Sequence, residues 1–217
     1  MLRVCVIGLG HIGRLHSKIY KENNNVNLVG VCDINSERAK AAGNELNVNY
    51  YLSALEMLNE LKPDLVSVCT GGFEYSSDHF EPTMQALDFC DVLCEKPISN
   101  DIENAKEMVS KAKKLGRRFA VDMNHRFTPA GFTCKKWQDD GKIGTLLFVN
   151  MALWIGRPEL LESKNYHLKA LNPHSIDIMR HFCGDIESVQ CFAMTAPGRN
   201  IWSTASDRKS TRLNSSH

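Results

Sequence analysis

Three glycines and one carboxylate within the first 33 residues have the types and spacing to bind a dinucleotide. Gly8-Leu9-Gly10-His11-Ile12-Gly13 follows the apolar run Val4-Cys5-Val6-Ile7 directly, and Asp33 stands twenty residues after Gly13. In G-x-G-x-x-G between a strand and a helix, the first glycine allows a tight turn and the second lets a pyrophosphate approach. The third lets the helix pack close on the strand. That helix directs free N–H groups and the positive end of its dipole at the anion. A carboxylate at the position of Asp33, closing the second apolar run Val26–Cys32, accepts hydrogen bonds from the ribose hydroxyls. Gly8, Leu9, Gly10, His11, Ile12, Gly13 and Asp33 are therefore the candidate cofactor contacts. Asp33 repels a 2′-phosphate, and Ile34-Asn35-Ser36 carries no arginine to hold one, so NAD is expected and NADP is the lesser alternative, kept open by Arg38. Asp33 could instead cap the helix that begins near Ser36, because Asp is a favoured N-cap.

The elements that must position these groups alternate regularly. Arg14 to Lys21 reads as a helix, and Ser53-Ala54-Leu55-Glu56 as a capping box opening a helix with Leu55, Leu58 and Leu61 inward. A weak strand lies near Val48 to Tyr51 and a clear one at Pro63 to Thr70, which places Thr70 beside the cofactor at the carboxyl edge of the sheet. A helix from about Ser77 to Phe89 leads to a strand over Asp91–Cys94. Ser99 or Asn100 is expected to cap a long helix whose Ile102, Ala105, Val109, Ala112 and Leu115 share one face, with Gly116 as its stop. Arg118 to Asp122 supplies a sixth strand. The fold class is therefore α/β, a doubly wound parallel Rossmann sheet over residues 1–122, followed by an incomplete α+β domain over 123–206. In that second part a helix over Pro129–Asp139, a strand over Thr145–Ile155, a helix over Pro173–Phe182 and a strand over Ile186–Ala193 are expected.

Composition narrows the classes further. The chain has 217 residues, 43% hydrophobic and 24% charged, as in ordinary globular proteins. It contains no run of eighteen apolar residues, and its first strand begins with no leader before it, so a cytoplasmic protein with no membrane partner is expected. Eight cysteines occur without any C-x-x-C pair, and Cys5, Cys32 and Cys69 lie within apolar runs, so reduced core thiols and no metal site are expected. The final residues 207–217 can be read codon by codon as a translated short-read sequencing adapter, and are expected to be disordered. Setting aside their three basic and one acidic residues turns the net charge from +1 to −1. No nucleic-acid partner is expected at that charge.

Cys94-Glu95-Lys96-Pro97, together with the glycine motif, Asp33 and the later His174-Ser175-Ile176-Asp177, resembles the Gfo/Idh/MocA oxidoreductases, named after glucose–fructose oxidoreductase and inositol dehydrogenase. The resemblance covers residues 1 to about 206. It implies that Lys96 lies by the nicotinamide and the reacting hydroxyl, with Glu95 among the cofactor contacts and Pro97 setting a turn. An ammonium there can hold the substrate oxygen and stabilise alkoxide character as hydride leaves the carbon. It implies His174 as proton acceptor with Asp177 one turn later, the lesser alternative being a helix N-terminal histidine hydrogen-bonded to Asp177. Ala170 stands where the family often carries an acid. Trp154, Arg157, Tyr166, Asp177 and the neighbouring His167 are candidates to line a sugar-sized pocket, and His79 is a candidate to face the cofactor. The resemblance thus implies an NAD-dependent dehydrogenase of a small polyhydroxylated substrate, a sugar, sugar acid or cyclitol, working as a homo-oligomer through the second-domain sheet. A dinucleotide-binding sensor or scaffold without turnover is the alternative, for which Ala170 is the support.

Overall fold

A computed structural model describes residues 1–71, 78–152, 167–196 and 199–207. The chain divides into two compact units, Met1–Asp122 and Met123–His217. In the first, β1 (Leu2–Ile7), α1 (His11–Glu22), β2 (Val26–Cys32), α2 (Ser36–Leu46), β3 (Asn49–Tyr51) and α3 (Ala54–Leu61) are followed by β4 (Leu65–Val68) and α4 (Phe80–Leu87). Then come β5 (Asp91–Cys94), α5 (Ile102–Leu115) and β6 (Phe119–Val121). The six strands form one sheet in the order β3-β2-β1-β4-β5-β6, all pairs parallel. This is the doubly wound Rossmann order.

Parallel strands buried on both faces read as unbroken apolar runs, which is why Val4–Ile7 and Leu65–Val68 stand out in the sequence. Alternation then sends Cys5 and Ile7 into a core against Met57 and Leu58 of α3, Leu87 of α4 and Met108 of α5. Val6 points the other way, into a core with Val31, Ala39, Ala42 and Leu46. Cys5, Cys32, Cys90 and Cys94 are buried free thiols whose pKa is pushed up to about 12, primarily by desolvation.

Several local expectations need correction. Asp101, and neither Ser99 nor Asn100, caps α5, accepting from the Glu103 and Asn104 N–H groups at 2.8 and 3.2 Å. The Ser99 hydroxyl and the Asn100 N–H instead donate to Asp78 Oδ2. The buried face of α5 is Ala105, Met108 and Ala112, while Ile102, Val109 and Leu115 are exposed. Leu55 is likewise exposed, since Met57 and Leu58 provide the inward face of α3. Ser53 does cap that helix, accepting from Glu56 N–H.

In the second unit a 3₁₀ turn (Asn124–Phe127) precedes α6 (Pro129–Asp139), and a π-helical turn (His167–Leu171) precedes α7 (Pro173–Cys183). The antiparallel pair β7 (Val189–Ala196) and β8 (Arg199–Asp207) follows. The strand expected over Thr145–Ile155 is not formed over residues 145–152, and 153–155 lie outside the described residues. A strand requires a partner for its backbone groups, and among the described residues β7 and β8 pair with each other only.

Candidate functional site

β1 and β4 are neighbours whose connections leave in opposite directions, so a crevice opens beyond their carboxyl ends. Gly8 follows β1 with φ +89°, and a Cβ there would lie 2.5 Å from Thr70 N and 2.6 Å from the Cys69 carbonyl. A Cβ at Gly13 would lie 1.7 Å from Gly8 O. Both glycines are thus required by the protein's own packing. Gly10 differs: its φ of −66° suits any residue, and a Cβ there would meet no atom within 4 Å among the described residues beyond its chain neighbours. Its missing side chain leaves open space at the start of α1, a helix with no side-chain cap and no acid in its first turn. That combination suits an anionic ligand. The Leu9 N–H is committed elsewhere, donating to Asp33 Oδ2 at 2.7 Å.

Asp33 is buried just beyond β2. Its Oδ1 accepts from Asn35 N–H at 2.8 Å and Arg38 Nη2 at 2.9 Å; its Oδ2 accepts from Leu9 N–H and from Arg38 Nε at 3.2 Å. Desolvation opposes its charge, but Arg38 and the two backbone N–H groups outweigh it and hold the carboxyl below the usual range. The cap of α2 is Asn35, whose side chain accepts from Arg38 N–H at 3.0 Å, so Asp33 is not the capping residue.

Glu95 turns into the protein. Its Oε1 lies 3.3 Å from His16 Nε2, and its Oε2 accepts from Lys96 N–H at 3.2 Å. Asp122 Oδ2, just beyond β6, lies 3.3 Å from the same His16 nitrogen, and Ser67 Oγ of β4 lies 2.8 Å from Nδ1. Burial works against an imidazolium here, yet Asp122, Cys69 and Glu95 push His16 up to about 12. The ligating atoms of His16, Glu95 and Asp122 lie within 4.8 Å of one another, close enough for a cation. The same two carboxylates favour the protonated form of the imidazole between them. His79 is buried, its Nδ1 2.7 Å from Pro97 O and its Nε2 2.9 Å from Thr70 O. Rather than facing a ligand, it braces the loop after β4 against the Glu95-Lys96-Pro97 turn, where the Lys96–Pro97 bond is cis. Thr70 Oγ1 donates to Asp78 O in the same brace.

Within the second unit, His174 near the start of α7 stacks on His125, with ring centroids 4.2 Å apart. Asp177 pairs through both oxygens with the Arg126 guanidinium. Ala170 is buried in the π-helical turn. Trp154, Arg157 and Tyr166 lie outside the described residues.

Residues 2–123 match the family described as "Oxidoreductase family, NAD-binding Rossmann fold", the Gfo/Idh/MocA group. The chain belongs to this family. It is similar to the D-glucoside 3-dehydrogenase of Escherichia coli K12, 39% identical over 58% of this chain and 36% of that protein. It is also similar to the inositol 2-dehydrogenase/D-chiro-inositol 3-dehydrogenase of Lactiplantibacillus plantarum, 32% identical over 68% of this chain and 43% of that one. The crystal structure of myo-inositol dehydrogenase from Lactobacillus casei, in complex with NAD(H) and myo-inositol, superposes with a TM-score of 0.76 at 24% identity. The match covers 96% of this chain and 64% of that one. The chain spans about a third to a half of the curated relatives it matches.

The cradle fits NAD: Gly8 and Gly13 permit the tight turn and the close packing of α1, Gly10 leaves space at the uncapped start of that helix, and Asp33 is anchored beside it. His16, His125 and Arg126 contact the candidate site residues Glu95, His174 and Asp177, and motif and spacing alone do not single them out. The signal for His16 is its place three residues after Gly13, which puts it on the same inward face of α1. Nothing in the local spacing marks His125 or Arg126, whose partners lie about fifty residues away.

Proposed function

We propose that this chain is the cofactor-binding part of an NAD-dependent dehydrogenase that moves a hydride between the nicotinamide and a carbinol carbon of a sugar, sugar acid or cyclitol. The observation that carries the reading is the open space at Gly10 before an uncapped helix, with Asp33 anchored beside it. The nicotinamide, when bound, supplies the hydride acceptor or donor. Lys96 holds the substrate oxygen and stabilises its developing negative charge. Glu95, fixed by His16, orients the Lys96 backbone from behind. His174 exchanges the hydroxyl proton, a task suited to an imidazole near neutral pH. The names of the relatives, dehydrogenases of glucosides and inositols, support a polyhydroxylated substrate. Among the described residues no helix is long and apolar enough to cross a membrane. A cytoplasmic homo-oligomer is the form we propose for the complete protein.

The test is Lys96→Met in the gene's full product. NADH binding should stay nearly intact while turnover on a panel of sugars, sugar acids and cyclitols falls by about 10²- to 10⁴-fold. NADH bound by the parent with no turnover across the panel would sink the dehydrogenase reading and leave a dinucleotide-binding sensor, consistent with the methyl group at Ala170 that can neither hold nor move a proton.

A further inference from the structure

We infer that Arg38 is a built-in competitor for the ribose site: it occupies the acceptor positions of Asp33 that the adenosine hydroxyls need, and so sets both the affinity for NAD and the tolerance of NADP. This rests on the NAD reading above.

The four donors on Asp33 account for the acceptor capacity of a carboxylate. Two of them, the Leu9 and Asn35 N–H groups, belong to backbone fixed by the turn after β1 and the start of α2. The other two are Arg38 Nε on Oδ2 and Arg38 Nη2 on Oδ1. Only these can leave without unfolding the loop. The Arg38 side chain is 53% exposed, against 5% for Asp33, and Asn35 Oδ1 holds the Arg38 backbone N–H, so its departure is confined to a side-chain swing into water. That swing frees one acceptor position on each carboxylate oxygen. A vicinal diol needs two.

NAD must displace a bidentate ion pair, so the pair's own strength is subtracted from the affinity. A 2′-phosphate meets a carboxylate whose charge Arg38 offsets, and the displaced guanidinium remains close enough to pair with it. Arg38 therefore weakens NAD binding and assists NADP binding, narrowing the preference that Asp33 creates.

NADH and NADPH are titrated separately by nicotinamide fluorescence against the full chain and its Arg38→Gln and Arg38→Lys variants. Arg38→Gln should tighten NADH by about two- to fivefold, the range for a partly exposed pair, and weaken NADPH by a similar factor. Arg38→Lys keeps a charge without the fork, so NADH should tighten while NADPH stays near parent values. Melting curves without cofactor establish that each variant is folded at the titration temperature. If the parent prefers NADH but Arg38→Gln weakens NADH or leaves it unchanged, Arg38 is no competitor and this inference alone fails. If the parent binds neither nucleotide or prefers NADPH, the NAD reading fails and this inference with it.

Discussion

His16 brings burial and charge into direct opposition, and the outcome shapes the site around it. Its side chain is 10% exposed, and two carboxylates converge on one nitrogen. Removing the imidazole would take away the positive group that lies between the Glu95 and Asp122 carboxylates, which costs about 3 kcal/mol. His16→Gln should therefore lower the melting temperature strongly near neutral pH. The pH dependence has a definite sign. Because folding raises this group from 6.5 toward about 12, its contribution is complete below 6.5 and is lost as pH rises through that interval. The parent should lose melting temperature from about pH 7 to about pH 10, and its gap to His16→Gln should narrow over the same range. A constant gap across that range would show that His16 acts through packing alone. Little in the linear order of residues announces this cluster: Asp122, Glu95, Ser67 and His16 come from four separate stretches of chain, and only the parallel order of β4, β5 and β6 brings their ends beneath α1. Glu95 is legible as a site residue from its motif, but its inward direction is not.

At the scale of elements, the glycine turn separates what the fold needs from what a ligand needs. Gly13→Ala would force a Cβ against the Gly8 carbonyl, a backbone atom that cannot swing aside. It should destabilise the domain by about 3 kcal/mol and impair NADH binding only as a consequence. Gly10→Val has room among the described residues and an ordinary φ, so its melting temperature should fall by no more than a poorer N-cap costs, about 1 kcal/mol and well short of Gly13→Ala. Its branched side chain would occupy the phosphate approach, weakening NADH by on the order of tenfold or more. Thermal melts and NADH titrations of the pair decide the matter, and an unchanged affinity in Gly10→Val would remove the cradle from this turn. Elements whose signal is local are legible in the residues: the continuous apolar strands, the Ser53 cap, and Gly116 in the left-handed conformation closing α5. Elements defined by distant partners are not. The run Thr145–Ala152 has strand-like composition but no ladder partner among the described residues, whereas β8, which carries no comparable apolar run, pairs with β7. The inward face of α5 is ambiguous in the sequence because Val109 and Met108 are both apolar, and only packing against α4 selects Met108.

At the scale of the whole molecule, the two units differ in how fully each buries its own surface. Met1–Asp122 has a core on either face of its sheet, and every cradle residue from Gly8 to Asp122 lies within it. The second unit exposes Leu147 at 86% and Phe148 at 81%. Exposed apolar side chains of this size invite association. Residues 1–122 expressed alone should therefore unfold cooperatively, bind less ANS than the 217-residue chain, and hold NADH within about threefold of its affinity. Asp122 must be retained, since it supplies one of the two carboxylates on His16. Calorimetry, ANS fluorescence and NADH titration on the two proteins provide the comparison. Strong ANS binding with a broad, non-cooperative melt in residues 1–122 would show that the first unit draws its order from the second, and about a tenfold loss of NADH affinity in a well-folded 1–122 would place part of the cofactor site beyond residue 122.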